Sequence, residues 1–229
     1  EYHPLPQDVR AKLTETHPAQ MSRMDGVDND DIAISCRIFT REGCQNIVRD
    51  AFEYAKKFGY ETVTVCEKPN VVRETSGLMV REARKIARDY PGIELWETNI
   101  DAMCMWLVKN PQDYGVLVAS NMFGDIVSDL CAQLVGGLGF ACSGNIGKDV
   151  AIFEPSHGSA PKYVGMNKVN PIAMMLSAKM MLDYLGEMDM AKRLEDAVAA
   201  VIAEGEHRTY DMGGTTTTTE MAEAIAAKL

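Results

Sequence analysis

The feature of this sequence that most restricts its fold is an alternation, between residues 40 and 134, of short β-branched runs with longer stretches of helical period. Thr40 can cap a helix in which Cys44, Ile47, Val48, Ala51, Phe52 and Ala55 share one face, and Gly59 stops it. Thr62-Val63-Thr64-Val65-Cys66 then reads as a strand, followed by helix 77–89, strand 93–96, helix 99–109 and strand 115–119. Strands separated by helices bury their apolar faces together only as a layered α/β domain. On the N-terminal side, Ile32–Ile38 alternates like a half-buried strand, while residues up to about 35 are otherwise polar and irregular, with Pro4, Pro6, Pro18 and an acidic run from Asp25 to Asp31. On the C-terminal side, the glycine-rich stretch Gly136–Gly147 would let the chain cross to a second domain. Strand 150–153 and helices near 171–186, 189–204 and 219–229 follow, and Thr219, last of five consecutive threonines, can cap the final helix.

Composition excludes several functions. Hydrophobic and charged fractions of 46% and 24% are those of a soluble globular protein. No run reaches the roughly 18 apolar residues of a membrane span, and the start lacks the basic and apolar parts of a signal peptide, so a cytoplasmic location is expected. A formal net charge of −10 argues against nucleic acid or an anionic membrane as partner, because both require clustered Lys and Arg. The six cysteines are widely spaced, form no C-x-x-C pair and lie mostly in apolar runs, which predicts buried free thiols in a reducing compartment.

Chemistry concentrates in two places. After the apolar run 115–119, the segment Asn121-Met122-Phe123-Gly124-Asp125-Ile126-Val127-Ser128-Asp129 opens a helix. Its carboxylates at 125 and 129 are one turn apart on one face, where like charges repel unless neutralised. A hard divalent cation such as Mg²⁺ or Mn²⁺ would neutralise them. The plainer alternative is that Asp125 complements the helix dipole and Asp129 is solvated. About thirty residues on come Phe153-Glu154-Pro155-Ser156-His157-Gly158-Ser159-Ala160-Pro161-Lys162-Tyr163 and then Asn170-Pro171 before a helix.

These motifs, with Lys68-Pro69-Asn70, Asn99-Ile100-Asp101, Gly136-Gly137-Leu138-Gly139 and Ser143-Gly144-Asn145-Ile146-Gly147, resemble the isocitrate/isopropylmalate dehydrogenase family of β-decarboxylating dehydrogenases. The resemblance runs from about Ile38 to the C-terminus. It implies that family's layered α/β fold, with residues 1–36 as a dimer-interlocking arm, 37–135 as a small α/β domain and 136–229 as the C-terminal part of the large cofactor-binding domain. It also implies metal-dependent oxidative decarboxylation of a 2-hydroxy tricarboxylic acid, first of all isocitrate to 2-oxoglutarate. The rivals are 3-isopropylmalate, homoisocitrate or tartrate as substrate, or a noncatalytic regulatory subunit.

By the same resemblance, Asp125 and Asp129 of one subunit and Asp101 of the other would hold Mg²⁺ or Mn²⁺. Lys68 would be the base for the substrate hydroxyl, since an ammonium near a cation loses its proton more readily. Asn70 would hydrogen-bond substrate and nicotinamide, so a homodimer with shared sites is expected. His157, Gly158, Ser159, Ala160, Pro161 and Asn170 would surround the adenosine end of the cofactor. Lys162 and Tyr163, with Tyr210, match members that bind the 2′-phosphate of NADP, whereas NAD users carry an Asp after the loop. The arginine expected after Tyr210 is Gly214 here, which keeps NAD as the alternative. Family members normally exceed this length, and the proton-donating tyrosine and carboxylate-gripping arginines belong to an N-terminal part, so the chain is expected to be N-terminally incomplete and inactive alone.

Overall fold

The polar N-terminal segment holds more regular structure than its composition predicts. The structure, a computed structural model, describes residues 1–229. Gln7–Thr16 forms helix α1 and Pro18–Met21 a single turn, α2. Helix α1 buries no residue. Polar stitching holds it instead: the Arg10 guanidinium donates to the carbonyls of Val27 and Met24, both at 2.8 Å, and to Asn29 Oδ1 at 2.5 Å. The strand expected at 32–38 is reduced to one antiparallel bridge between Ile34 and Tyr2. Alternation alone does not make a strand without a neighbour to pair with, and Ile38 is largely solvent-exposed.

From residue 40 the alternation is realised. Helix α3, Arg41–Phe58, is capped by Thr40, whose Oγ1 accepts from Gly43 N at 3.0 Å, and it ends at Gly59 in the left-handed region at φ 75°. Strand β1 (Thr62–Glu67), helix α4 (Arg73–Ile86), strand β2 (Glu94–Asn99), helix α5 (Ile100–Lys109), strand β3 (Val116–Ala119) and helix α6 (Asn121–Leu134) follow. The three strands form one sheet in the order β2-β1-β3, with β1 and β2 parallel from Thr62 opposite Glu94 to Glu67 opposite Asn99. As the central strand, β1 is buried from Val63 onward, which is why its sequence is a continuous run and not an alternation. Val63 and Val65 pack with Val48, Phe52 and Ala55 of α3 and Met79, Ala83 and Ile86 of α4 in one core. Ile47, read as part of the buried face of α3, is nearly half exposed because it lies at the margin of that stripe.

The chain divides into two compact units, Glu1–Asn99 with Tyr114–Val118, and Ile100–Asp113 with Ala119–Leu229. In the second, the stretch expected to be only a glycine-rich crossing contains a strand, β4 (Cys142–Ile146), antiparallel to β5 (Ala151–Pro155). Its Ser-Gly-Asn content hides it: Gly144 pairs with Phe153, and a Cβ at 144 would lie 3.1 Å from the Phe153 ring. Helix α7 (Ile172–Leu185) packs on this hairpin and on α8 (Met188–Glu204), and α8 packs on α9 (Thr218–Ala226). Ile172, Val198, Val201, Met221 and Ile225 form the second core. Helix α9 is capped by Thr217, not Thr219, because only Thr217 makes the reciprocal capping box with Glu220. Cys44 and Cys66 are buried free thiols, as expected, but Cys36 is exposed beside the single bridge and the other three are half-buried. No helix is long and apolar enough to cross a membrane.

A buried carboxylate braces the first core. Glu82 of α4, 1% exposed, accepts from Lys85 Nζ and Gln45 Nε2, each at 2.7 Å, with Arg41 at 3.6 Å. Lys85 first and Gln45 second hold its carboxyl below the ordinary 4.5. A depressed carboxyl contributes stability above its unfolded pKa and loses it as the pH falls through the folded value. Glu82→Gln should therefore lower Tm at neutral pH, and its deficit against the native chain should shrink as the pH falls below the ordinary 4.5. Calorimetric melts on either side of that value check both signs.

Candidate active site

Lys68 stands just past the C-terminal end of β1, the edge of an open α/β sheet at which ligands bind. Its backbone is held on both sides. Its N–H donates to Ser76 Oγ at 3.3 Å, and its carbonyl accepts from Val71 N at 3.1 Å and Val72 N at 2.8 Å. Ser76 is fixed in turn by donating to the fully buried Glu67 at 2.5 Å. Asn70 is exposed in the same turn. Both residues belong to the first unit.

The three aspartates belong to the second unit. Asp101 lies in the first turn of α5, and Asp125 and Asp129 lie on α6, all exposed. Their surroundings on the helices are apolar: Met105 and Val108 of α5 and Met122 and Ile126 of α6 are each about half exposed or more. Within one chain, no three His, Cys, Asp or Glu side chains converge into a metal-binding group. As a donor set, the α6 pair is all carboxylate oxygen, which fits a hard Mg²⁺ or Mn²⁺ and not a soft metal.

The second unit also contains a cavity of about 610 Å³, within the usual range for a small-molecule site. His157, Gly158, Ser159, Ala160, Asn170 and Tyr210 all line it. The loop enters the cavity with backbone exposed. His157 Nδ1–H donates to the Gly158 carbonyl at 2.9 Å, and Ala160 takes the left-handed region at φ 45°, which costs a residue bearing a Cβ about 1 kcal/mol or more. Pro161–Tyr163 then forms one 3₁₀ turn. Gly136, Gly137, Leu138 and Gly139, read from the sequence as a domain crossing, also line it. Gly136 and Gly137 lie at φ 115° and 107°, which favours glycine.

Two site residues escaped sequence reading. Asp211 lines the cavity and is tied to Asn170, whose Nδ2 donates to Asp211 Oδ2 at 3.0 Å while its Oδ1 accepts from Ile172 N at 3.0 Å. A Cβ at Gly139 would come within 2.5 Å of that Asp211 oxygen, so this pair also dictates the glycine. The adjacent Tyr210 was the available hint. Lys168 is the other. Its ammonium lies 4.8 Å from the Tyr210 ring centre and 5.8 Å from that of Tyr163, while Lys162 lies 4.8 Å from Tyr163. The two rings are 5.3 Å apart. The Tyr163 phenol is lowered from its ordinary value, first by Tyr210 and then by Lys162, with Lys168 adding to the effect, while Tyr163 and burial raise that of Tyr210. The grouping is a ready anion site.

Size alone does not choose the site. A cleft of about 640 Å³ in the first unit is lined by Arg49, Lys56, Glu53, Glu61 and Asp89, and its Tyr90 hydroxyl donates to Glu53 at 2.6 Å, which pushes that phenol up to about 12. Its charges are of both signs and it holds none of the residues singled out above.

A family model described as isocitrate/isopropylmalate dehydrogenase matches residues 9–225. The chain is 47% identical over 199 residues to the 3-isopropylmalate dehydrogenase of Archaeoglobus fulgidus, covering 87% of this chain and 61% of that protein. It is 47% identical over 196 residues to catalytic subunit 5 of the mitochondrial NAD isocitrate dehydrogenase of Arabidopsis thaliana, covering 85% and 52%. The crystal structure of isocitrate dehydrogenase from Methylococcus capsulatus superimposes with a TM-score of 0.83 at 44% identity, covering 86% of this chain and 59% of that one. The chain thus spans between about half and three fifths of the length of these relatives.

The buried Asn170 amide links the start of α7, the loop after Tyr210 and the cavity wall, so its truncation should be felt in all three. Asn170→Ala leaves the Ile172 N–H without its partner and Asp211 held only through its other oxygen by Thr209, and should cost about 1–3 kcal/mol of unfolding free energy. Urea melts of the variant and the native chain measure it, and a loss below about 0.5 kcal/mol would contradict the assignment.

Proposed function

The chain belongs to the isocitrate/isopropylmalate dehydrogenase family, and we propose that it forms the larger part of an NADP-linked isocitrate dehydrogenase acting as a homodimer. The family comprises oxidative decarboxylating dehydrogenases of small hydroxy acids that use NAD(P) and a divalent metal. The observation that carries the reading is the convergence of His157–Ala160, the Gly136–Gly139 wall and Tyr210 on one nucleotide-sized cavity, with Lys162 and Tyr163 at its side. A nucleotide there is oriented by backbone that glycines allow to approach closely. Asp125 and Asp129, with Asp101 of a second subunit, would hold Mg²⁺ or Mn²⁺. When bound, such an ion supplies positive charge where the substrate C2 oxygen gains negative charge, and NADP accepts the hydride.

Lys68 takes the proton of the substrate hydroxyl, and its doubly anchored backbone presents it at the sheet edge. Asn70 hydrogen-bonds substrate and nicotinamide. Because Lys68 and Asn70 act across the interface from Asp125 and Asp129, the site is complete only in a dimer. The exposed apolar residues Met105, Val108, Met122 and Ile126 around the aspartates suit helices that pack against a second copy. The substrate reading leans on cofactor choice: Lys162-Tyr163 accompanies NADP, which is rarer among the rivals. The 47% identity to a 3-isopropylmalate dehydrogenase favours that acid as the second reading. Turnover assays of the full-length protein with isocitrate and 3-isopropylmalate, each with NAD and NADP, decide among the four combinations. Activity with 3-isopropylmalate alone would overturn the first reading.

Two variants test the assignment further. Exchanging Lys162→Asp and Tyr163→Ile removes a charge-assisted contact worth roughly 1.5–3 kcal/mol and adds a repelling anion. At 1.36 kcal/mol per factor of ten, kcat/KM for NADP should fall at least about tenfold while NAD suffers less or gains. An unmoved NADP/NAD ratio contradicts the 2′-phosphate role. For the shared site, inactive Lys68→Met and inactive Asp125→Asn full-length subunits should regain a fraction of activity when mixed. Absence of recovery after proven subunit exchange excludes sites built from two subunits.

A further inference from the structure

Beside the cofactor cavity, and sharing Tyr210 with it, lies a second recess of about 320 Å³ lined by Met166, Asn167, Lys168 and Gly214–Thr217. The recess has one cation, Lys168. Position 214 cannot contribute another. A Cβ on Gly214 would stand 2.1 Å from the Arg208 carbonyl oxygen and 2.5 Å from the Arg208 Cβ, and the Gly214 N–H is engaged with the Thr209 carbonyl at 2.9 Å. With this backbone no side chain fits there, so an arginine at 214 is sterically barred and not merely absent.

Lys168, by contrast, is held in place by its neighbours. Asn167 takes the left-handed region at φ 48°, where Asn is among the better-tolerated residues. Its Oδ1 accepts from Thr219 N at 3.1 Å and Thr219 Oγ1 at 3.0 Å, and its carbonyl accepts from Thr218 N at 3.0 Å. On the other side, Thr218 Oγ1 donates to the Val169 carbonyl at 2.6 Å. The backbone on both flanks of Lys168 is thereby pinned to the start of α9, and the ammonium is delivered over the Tyr210 ring at 4.8 Å. Lys162 reaches the Tyr163 ring from its own turn at the same distance. Two ammoniums thus flank two phenols, a charge complement suited to a phosphomonoester dianion and redundant for a ribose with only hydroxyls.

We propose that Lys168 is a specificity-determining residue that takes the nucleotide 2′-phosphate in the recess behind Tyr210, serving in place of the cation that Gly214 excludes. This rests on the NADP reading above and goes beyond it in naming the second cation. The test is isothermal titration of the chain with adenosine 2′,5′-bisphosphate and with adenosine 5′-monophosphate, for the native sequence, Lys168→Met and Lys168→Arg. The native chain should bind the bisphosphate more tightly than the monophosphate. Lys168→Met, which keeps an apolar stem over the ring, should weaken the bisphosphate about tenfold, the size of one charge-assisted hydrogen bond, with the monophosphate unchanged. Lys168→Arg should retain most of the preference. A native chain that does not distinguish the two ligands overturns the NADP reading and this one with it. A native preference that survives Lys168→Met overturns the role of Lys168 alone. An equal loss of both ligands in Lys168→Met assigns Lys168 to support of the ring and also overturns the proposal.

Discussion

The second unit depends on one buried amide. Asn170, 5% exposed, accepts from the first residue of α7 with its oxygen and donates to Asp211 with its nitrogen, so the helix, the loop after Tyr210 and the Gly136–Gly139 wall share a single fixed point. Thr209 Oγ1 donates to the other Asp211 oxygen at 2.5 Å, and Ala173 N donates to the Gly139 carbonyl at 2.8 Å. Each polar group left out of this network would be costly in so enclosed a place. The cavity is therefore shaped by hydrogen bonds and by glycines that the bonds make room for, and its apolar cluster lies beneath it among α7, α8 and α9.

The first unit solves a different problem, presenting one lysine at a sheet edge. A parallel central strand buried on all its inner positions gives a rigid platform, and the chain leaves it through a turn tied by Val71 and Val72 to the Lys68 carbonyl. Ser76 and the buried Glu67 close the arrangement from below. Backbone fixed at both N–H and C=O limits the motion of Lys68 to its own side chain, as the proposed proton transfer from a bound hydroxyl would require.

Charge is distributed to match. The acid-rich surface that yields a net −10 coexists with a local concentration of Lys162 and Lys168 around Tyr163 and Tyr210, the part of the chain read as meeting a phosphate. Conversely, the exposed carboxylates of α6 sit among exposed methionine and isoleucine, the combination on which the proposed metal site and dimer rest.

Much of this was legible in the sequence. The strand–helix alternation from Thr40 to Leu134 was legible because period and capping are local properties, and Thr40, Gly59 and the β-branched run 62–66 act through their own neighbours, whereas its division between two compact units was not. The loop His157–Tyr163 carried a family resemblance that implies a cofactor loop, and His157–Ala160 line a cavity. What tertiary structure alone decided were contacts between distant segments. Arg10 orders a helix that buries no residue, β4 exists only through its register with β5, and Asp211 joins the site only through Asn170, 41 residues away in sequence. Gly214 and Lys168 are the sharpest case. The missing side chain was visible in the sequence, but the reason for it, a carbonyl of Arg208 in the space, and the lysine brought into the same recess depend on chain packing that no local pattern encodes.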